Sequence, residues 1–177
     1  MRTLSKEFTL FGPSDEHCVI RGGFCISVFA IIRRRSQVLL VRPKEHTRWK
    51  QEWAPNWRLY DSDLLANEYK SWRFPSSYIR EGESPEDTLR RLVGEQLGIQ
   101  SFEILSSKLL NYYEPSRRYP DRLHWDYCFV YEVKIGEEPT IKPWYSSVEF
   151  VDLRILDTKD FGSAQGSLLK ELTEISH

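Results

Sequence analysis

Residues 72–99 read WRFPSSYIREGESPEDTLRRLVGEQLGI, and this stretch decides how the rest of the chain is interpreted. Its second half predicts a helix, because serine at Ser84 is a favoured N-cap, Pro85 suits the first helical position and Asp87 lies at the third. Gly98 ends the helix, since glycine accepts the conformation of a C-terminal cap. One face is apolar at helical spacing, with Leu89, Leu92, Val93 and Leu97. The loop SSYIREGE leads into this helix.

The segments on both sides of this stretch indicate strands. GGFCISVFAII at 22–32 is rich in β-branched and aromatic residues, and QVLLVR at 37–42 is its return strand in a hairpin. The turn is expected at 33–36, whose three arginines form either an anion site or a solvated tip. Further strands are predicted at 72–75, 101–111, 124–134 and 148–153, and a closing helix at 163–175. This order predicts an α+β fold, a mixed sheet with a helix on each side.

Length and composition limit the organisation of the chain. Its 177 residues, 40% hydrophobic and 29% charged, predict one folded domain over 1–177. Residues 1–16 are expected to form a mobile lead-in with a turn at 12–13. Residues 43–71 are expected to form an aromatic-rich loop excursion.

Charge and cysteine content restrict partners and compartment. Lys and Arg total 25 against 26 Asp and Glu, and this net charge of −1 argues against a nucleic-acid binder. No run approaches the roughly 20 apolar residues of a membrane helix, and the N-terminus shows no secretory signal. The three cysteines are an odd number without a C-x-x-C pair, which indicates free thiols. We therefore expect a cytoplasmic protein with no membrane partner.

The stretch 72–99 resembles the Nudix box, G-x5-E-x7-R-E-U-x-E-E-x-G-U, in which U is a bulky aliphatic residue. Laid on the pattern without a gap, the chain agrees at Glu83, Arg91, Val93, Glu95, Gly98 and Ile99. It departs at three positions, where Ser77 replaces the opening glycine and Leu92 and Gln96 replace two glutamates. The resemblance extends over most of the chain, from about residue 22 to 172. It implies a Nudix-type α/β/α sandwich with a mixed central sheet.

The resemblance also implies a metal site. In the family, three helix carboxylates hold divalent metal that activates a water for attack on a diphosphate. Positions 92, 95 and 96 fall within about 100° on a helix of 3.6 residues per turn, so one face would present them together. Here only Glu95 keeps its charge, so we expect a weak or single Mg²⁺ or Mn²⁺ site with Glu95 as main ligand.

Three further residues of the box are candidate ligands or catalytic groups: Glu83, Arg91 and Gln96. Glu83 is either a second metal ligand or, with Arg91, an orienting pair, and Gln96 offers a neutral carbonyl oxygen. Leu92 is most simply a core residue. Carboxylates outside the box that could complete the site are Asp126, Glu137, Glu138 and Glu149.

Candidate substrate-binding residues lie in the loops. The hydroxyls of Ser76 and Ser77 either donate to a phosphate or mark the loss of the close approach that glycine permits. Trp57 is a candidate to stack on a base, and Arg122 either meets a phosphate or is solvated. Trp72 and Trp125 are expected in the core.

Two functions stand side by side at this point. The first is a Nudix-type hydrolase of a nucleoside diphosphate derivative, with Glu95, Glu83 and Arg91 as catalytic residues. The second is a catalytically impaired Nudix-fold module that recognises a nucleotide or a protein partner. A homodimer is possible in either case, and nucleic acid is an unlikely partner.

Overall fold

The computed structural model describes residues 8–9, 12–13, 24–44, 70–115, 123–162 and 165–174. Its strands are β1 Phe8–Thr9, β2 Gly12–Pro13, β3 Phe24–Arg34, β4 Gln37–Pro43, β5 Ser76–Tyr78, β6 Phe102–Pro115, β7 Leu123–Ile135 and β8 Tyr145–Asp152. Helix α1 spans Pro85–Arg91 and continues as a π-helical turn over Leu92–Gln96, and helix α2 spans Gln165–Glu174. Short 3₁₀ turns cover Leu153–Ile155 and Thr158–Asp160.

A mixed sheet forms the middle layer of the molecule. Its strand order is β6-β7-β3-β4-β8, and β5 also pairs with β3. Strands β3 and β7 run parallel, and the other pairs in this sheet are antiparallel. The α+β class and the mixed sheet expected from the sequence are therefore confirmed.

Two apolar cores lie on opposite faces of the sheet. The first packs α1 against the sheet through residues such as Leu89, Leu92 and Tyr131. The second packs α2 against the other face through Leu168 and Leu172 among others. Residues 28–32 of β3 are all buried, as expected for a strand covered on both faces. The architecture is thus the α/β/α sandwich that the sequence predicts.

The hairpin turn is shorter than the four residues predicted at 33–36. Only Arg35 and Ser36 form it, and Arg35 has a φ of 56°. Arg33 and Arg34 belong to β3 and form ion pairs with Glu132 at 3.4 Å and with a second glutamate, Glu138, at 2.6 Å. The described geometry thus gives two of the three arginines carboxylate partners within the protein.

The strand expected at 72–75 lies a few residues later. Trp72 and Arg73 make only isolated bridges, whereas Ser76–Tyr78 forms β5 within the predicted loop. Strand β5 forms there because β3 has a free edge. Strand β3 pairs with β4 at the hairpin end, at 33–34, and its residues 27–29 pair with Ser76–Tyr78.

Two other expectations are corrected. Residues 12–13 are not a turn, because Gly12 and Pro13 pair with Thr9 and Phe8 in a short antiparallel ladder. Trp125 is not a core residue, since it is 41% exposed on β7, whereas Trp72 is buried as predicted. Most of the 43–71 excursion lies outside the described residues, as do Trp57 and Arg122.

Candidate functional site

The loop before α1 and the start of the helix are fixed by a capping box. The Ser84 hydroxyl accepts the backbone N–H of Asp87 at 3.1 Å, and the Asp87 carboxylate accepts the backbone N–H of Ser84 at 3.1 Å. Pro85 occupies the first helical position, as predicted. Such reciprocal bonds satisfy two helix donors that would otherwise lack partners. They set where the helix begins relative to the loop.

Arg91 ties this loop to the helix. Its Nε and Nη2 donate to the two carboxylate oxygens of Glu83 at 2.7 and 2.8 Å, a bidentate pair. Its Nη1 donates to the hydroxyl of Ser77 at 2.9 Å, and Nη2 also donates to the carbonyl oxygen of Tyr78 at 2.9 Å. One buried guanidinium therefore holds the strand before the loop and the glutamate within it.

Glu83 accepts hydrogen bonds from more than Arg91. Its Oε2 also accepts the Thr88 hydroxyl at 2.8 Å and the backbone N–H of Arg80 at 3.0 Å. Burial by itself would raise the pKa of Glu83, but the hydrogen bonds from Arg91, Thr88 and Arg80 outweigh it and lower the pKa to about 2. Glu83 is therefore charged and committed to the loop, the orienting arrangement considered from the sequence.

The helix positions that carry metal ligands in the family face different ways here. Leu92 and Gln96 have no exposed surface, whereas Glu95 is exposed to solvent. The helix continues over these positions as a π-helical turn, whose hydrogen bonds span one residue more than those of an α-helix. Leu92 is a core residue, as the sequence suggested.

Gln96 is held in a buried hydrogen-bond network. Its Oε1 accepts the hydroxyl of Tyr145 at 2.7 Å, and its Nε2 lies 3.5 Å from the carbonyl oxygen of Ser76 as a weak donor. Burial raises the pKa of Tyr145 above its ordinary range, so the hydroxyl keeps its proton and remains a donor. The amide of Gln96 thus links α1 to β5 and β8 inside the protein.

These residues do not fit a divalent metal well. Mg²⁺ and Mn²⁺ prefer several hard oxygen ligands with free lone pairs. Of the three candidates, Glu83 and Gln96 direct their oxygens to donors within the protein, and only Glu95 presents a carboxylate to solvent. Within the described ranges, no three His, Cys, Asp or Glu side chains gather at a distance suited to a metal.

The carboxylates proposed from outside the box have other roles in the described structure. Glu137 accepts the backbone N–H groups of Gln100 and Ser101 and thereby caps the chain after α1. Glu138 pairs with Arg34, and Glu149 is bonded to the hydroxyl of Ser147. Asp126 is half-buried on β7, on the sheet face opposite α1.

The two serines of the loop also bond within the protein. Ser77 is buried, and its hydroxyl accepts from Arg91. The Ser76 hydroxyl accepts from the side-chain amide of Gln165 on α2 at 3.3 Å. Both hydroxyls therefore help to join β5 to the helices on either side.

A cluster of aromatic rings was missed from the sequence. The rings of Tyr113 and Trp125 lie 4.9 Å apart, and those of Trp125 and Tyr127 lie 6.2 Å apart. A signal was present, because every second residue from 125 to 131 is aromatic. Period-two alternation places those four side chains on one face of β7.

Comparison with known proteins agrees with this geometry. A family model described as the NUDIX domain matches residues 23–172. A comparison with curated protein sequences found no match to this chain. The chain therefore belongs to the Nudix family, the class of protein whose fold and box these residues form.

Several solved structures share the fold. A MutT protein from Methanosarcina mazei Go1 is 15% identical, with a TM-score of 0.59, over 86% of this chain and 95% of that one. The Escherichia coli dihydroneopterin triphosphate pyrophosphohydrolase is 13% identical, with a TM-score of 0.53, over 86% and 96%. The NUDIX domain of Shewanella oneidensis NrtR, solved with ADP ribose, is 17% identical, with a TM-score of 0.54, over 88% and 90%. In the described part of this chain, no helix is long and apolar enough to cross a membrane.

Proposed function

We propose that this protein binds a nucleoside diphosphate derivative in its Nudix fold, and that binding does not require metal ions on helix α1. The observation that carries the proposal is the burial of positions 92 and 96. Leu92 lies in the apolar core, and Gln96 is enclosed by Tyr145 and the Ser76 carbonyl group. The face that would gather metal ions is therefore closed by the protein's own packing.

The ligand class is supported by the loop and by a relative. Glu83 accepts two hydrogen bonds from Arg91 and one each from Thr88 and Arg80, and these hold the loop although the metal ligands around it are changed. The NrtR domain that shares the fold was solved with ADP ribose. A fold that retains this loop without the multi-carboxylate face is suited to recognition rather than to multi-metal hydrolysis.

Hydrolysis at a single metal is the second candidate, and the exposure of Glu95 favours it. Mg²⁺ can be held by one carboxylate together with substrate phosphates and water. Of the three helix positions that hold metal in the family pattern, Glu95 is the one that presents a carboxylate to solvent. Under this candidate Glu83 and Arg91 orient the loop and do not bind the metal.

The test measures binding and turnover in the same samples. Calorimetry would give the affinity for ADP-ribose in EDTA and in Mg²⁺, and chromatography would detect AMP release in Mg²⁺ and Mn²⁺. We expect equal affinity with and without metal, and no release. Glu95→Gln should bind as wild type, with the exposed loop variant Glu81→Gln as matched control.

Turnover would change the conclusion in a defined way. AMP release that Glu95→Gln abolishes and Glu81→Gln retains would establish the single-metal hydrolase instead. Failure of the wild type to bind any nucleoside diphosphate, with folding shown by circular dichroism, would remove both candidates.

A further inference from the structure

Strand β6 forms one end of the sheet and carries exposed apolar side chains. It is the longest strand of the described structure, with 14 residues, and among the described residues it pairs only with β7. Its exposed large apolar side chains are 38–56% exposed, and they are Ile104, Leu105, Leu109 and Tyr113. An edge strand of this kind offers unpaired backbone groups and apolar surface to another strand.

The other end of the sheet is protected in the way that edge strands of natural proteins are. Strand β8 has 8 residues, of which Ser146 and Glu149 are exposed. A short strand and an exposed charge discourage pairing with a second chain. Strand β6 is nearly twice as long. Among those of its residues whose exposure is described, Glu103 is the one exposed charge against four exposed apolar side chains. The contrast favours an edge that another strand covers.

The second half of β6 is regular enough to take a further strand. Its ladder with β7 has no register shift over residues 107–115. Leu109 is directly opposite Phe129, which packs against the core beside helix α1. Because directly opposite residues share a face and side chains alternate along a strand, Leu109, Asn111 and Tyr113 all lie on the face of α1.

We propose that a second copy of the chain pairs with this edge, β6 against β6 in antiparallel order, about a two-fold axis at Asn111. In this register Leu109 is opposite Tyr113 of the partner subunit, and the axis makes the same pair twice. Such opposite apolar and aromatic side chains stabilise antiparallel strands. An axis at residue 110 or 112 would instead set Leu109 opposite Asn111 or Pro115 of the partner subunit. A second copy fits because this one edge supplies both members of each pair.

The same register is complementary in charge. Position 114 is a glutamate, and it comes opposite Lys108 of the partner subunit, again twice. The Lys108 ammonium makes no hydrogen bond within the described structure, and its ion pair with Glu171 is long, at 3.7 Å. Opposite charges facing each other across two strands favour the pairing, whereas like charges there oppose it.

Paired cysteines test the register. Asn111→Cys would put two thiols across the axis, where the Cα atoms of opposite residues are about 4.5–5.5 Å apart, within the range of a disulfide. Ser107→Cys is the matched control, because it is exposed on the same strand but its two copies would lie about 27 Å apart. Mild oxidation and non-reducing electrophoresis should show a covalent dimer for Asn111→Cys, and none for Ser107→Cys or the wild type.

Association in solution tests the interface itself. Analytical ultracentrifugation of the full chain should show a species of twice the chain mass. Leu109→Ala removes two apolar contacts from each dimer and should raise the dimer dissociation constant by about 2- to 30-fold. Ile155→Ala removes another exposed apolar side chain, at 75% exposure on the turn after β8, and should dimerise as wild type. Circular dichroism would check the folding of each variant.

Three results would overturn the inference. They are a wild-type chain that stays monomeric at every concentration, a dissociation constant unchanged by Leu109→Ala, and a disulfide that forms as readily in Ser107→Cys as in Asn111→Cys. None of these measurements uses a nucleotide. Failure of the proposed function would therefore leave this inference standing, and its own failure would leave the proposed function standing.

Discussion

Glu83→Gln is the substitution that tests the loop architecture most directly. Glutamine keeps the shape of the side chain but removes the charge and replaces one acceptor oxygen with a donor. Glu83 Oε2 accepts from Arg91, Thr88 and Arg80, and Oε1 accepts Arg91 Nε at 2.7 Å. No orientation of the glutamine amide reproduces these four bonds, so Arg91 loses its charged partner.

The size of the effect follows from burial and from the pKa of the carboxyl group. The lowering of the Glu83 pKa from 4.5 to about 2 corresponds to about 3 kcal/mol at 1.36 kcal/mol per unit. The Glu83 side chain is 20% exposed, against 6% for Arg91, so water screens part of the attraction between the two charges. Removing one partner of a buried pair costs about 3–5 kcal/mol. We therefore expect Glu83→Gln to lose about 2–3 kcal/mol of unfolding free energy at pH 7.

The pH dependence has a definite sign. Because the folded pKa of Glu83 lies below the unfolded one, the carboxylate stabilises the fold fully above about pH 5 and loses this contribution as the pH falls towards 2. Urea unfolding of wild type should therefore show a drop across this window that is smaller in Glu83→Gln. Glu81→Gln, an exposed glutamate of the same loop, should lie within about 0.5 kcal/mol of wild type throughout. Stability curves for wild type and Glu83→Gln that stay parallel from pH 7 to pH 2.5 would refute this reasoning.

Three other substitutions probe the packing around the helix. Tyr145→Phe removes the buried hydrogen bond that the tyrosine hydroxyl donates to Gln96 and should lower the unfolding free energy by about 1–3 kcal/mol in urea titrations; an unchanged midpoint would contradict the bond. Leu92→Ala opens a cavity in the core and should cost about 2–5 kcal/mol by the same measurement, and a loss under 1 kcal/mol would mean that this side chain is not packed. Gly98→Ala places a β-carbon in a left-handed backbone, at a φ of 72° and 3.0 Å from the Thr140 side chain. It should lower the free energy of unfolding, measured by thermal melting, by about 1–2 kcal/mol. A variant as stable as wild type would show that the helix ends differently.

The strands and helices were largely accessible from sequence because they depend on local patterns. Helix α1 carries its own N-cap, its apolar stripe and its terminal Gly98, and the structure begins and ends it there. The short β5 was not accessible. It exists because β3 has an open edge at 27–29, and that edge depends on how far the β3–β4 pairing extends.

The site was predicted less well for a related reason. Sequence placed Leu92 in the core and offered the Glu83–Arg91 pair as one of two alternatives, the other being Glu83 as a metal ligand. The structure shows a buried Leu92 and the ion pair. Sequence could not identify the role of Gln96, because its partner Tyr145 lies 49 positions away on another element. Trp125 was placed in the core because alternation shows that a strand has two faces, but not how much of each face a helix covers.

The parallel pairing at the centre of the sheet has a consequence for how the protein is made. Ser27 of β3 and Cys128 of β7 touch across 101 positions of the chain. During synthesis, β3 emerges from the ribosome long before β7, whereas its antiparallel partners β4 and β5 follow it sooner. Such distant pairing slows folding, and it leaves an apolar segment uncovered while the rest of the chain is translated. Folding yield should therefore be sensitive to how long the β3 segment stays uncovered before β7 is made.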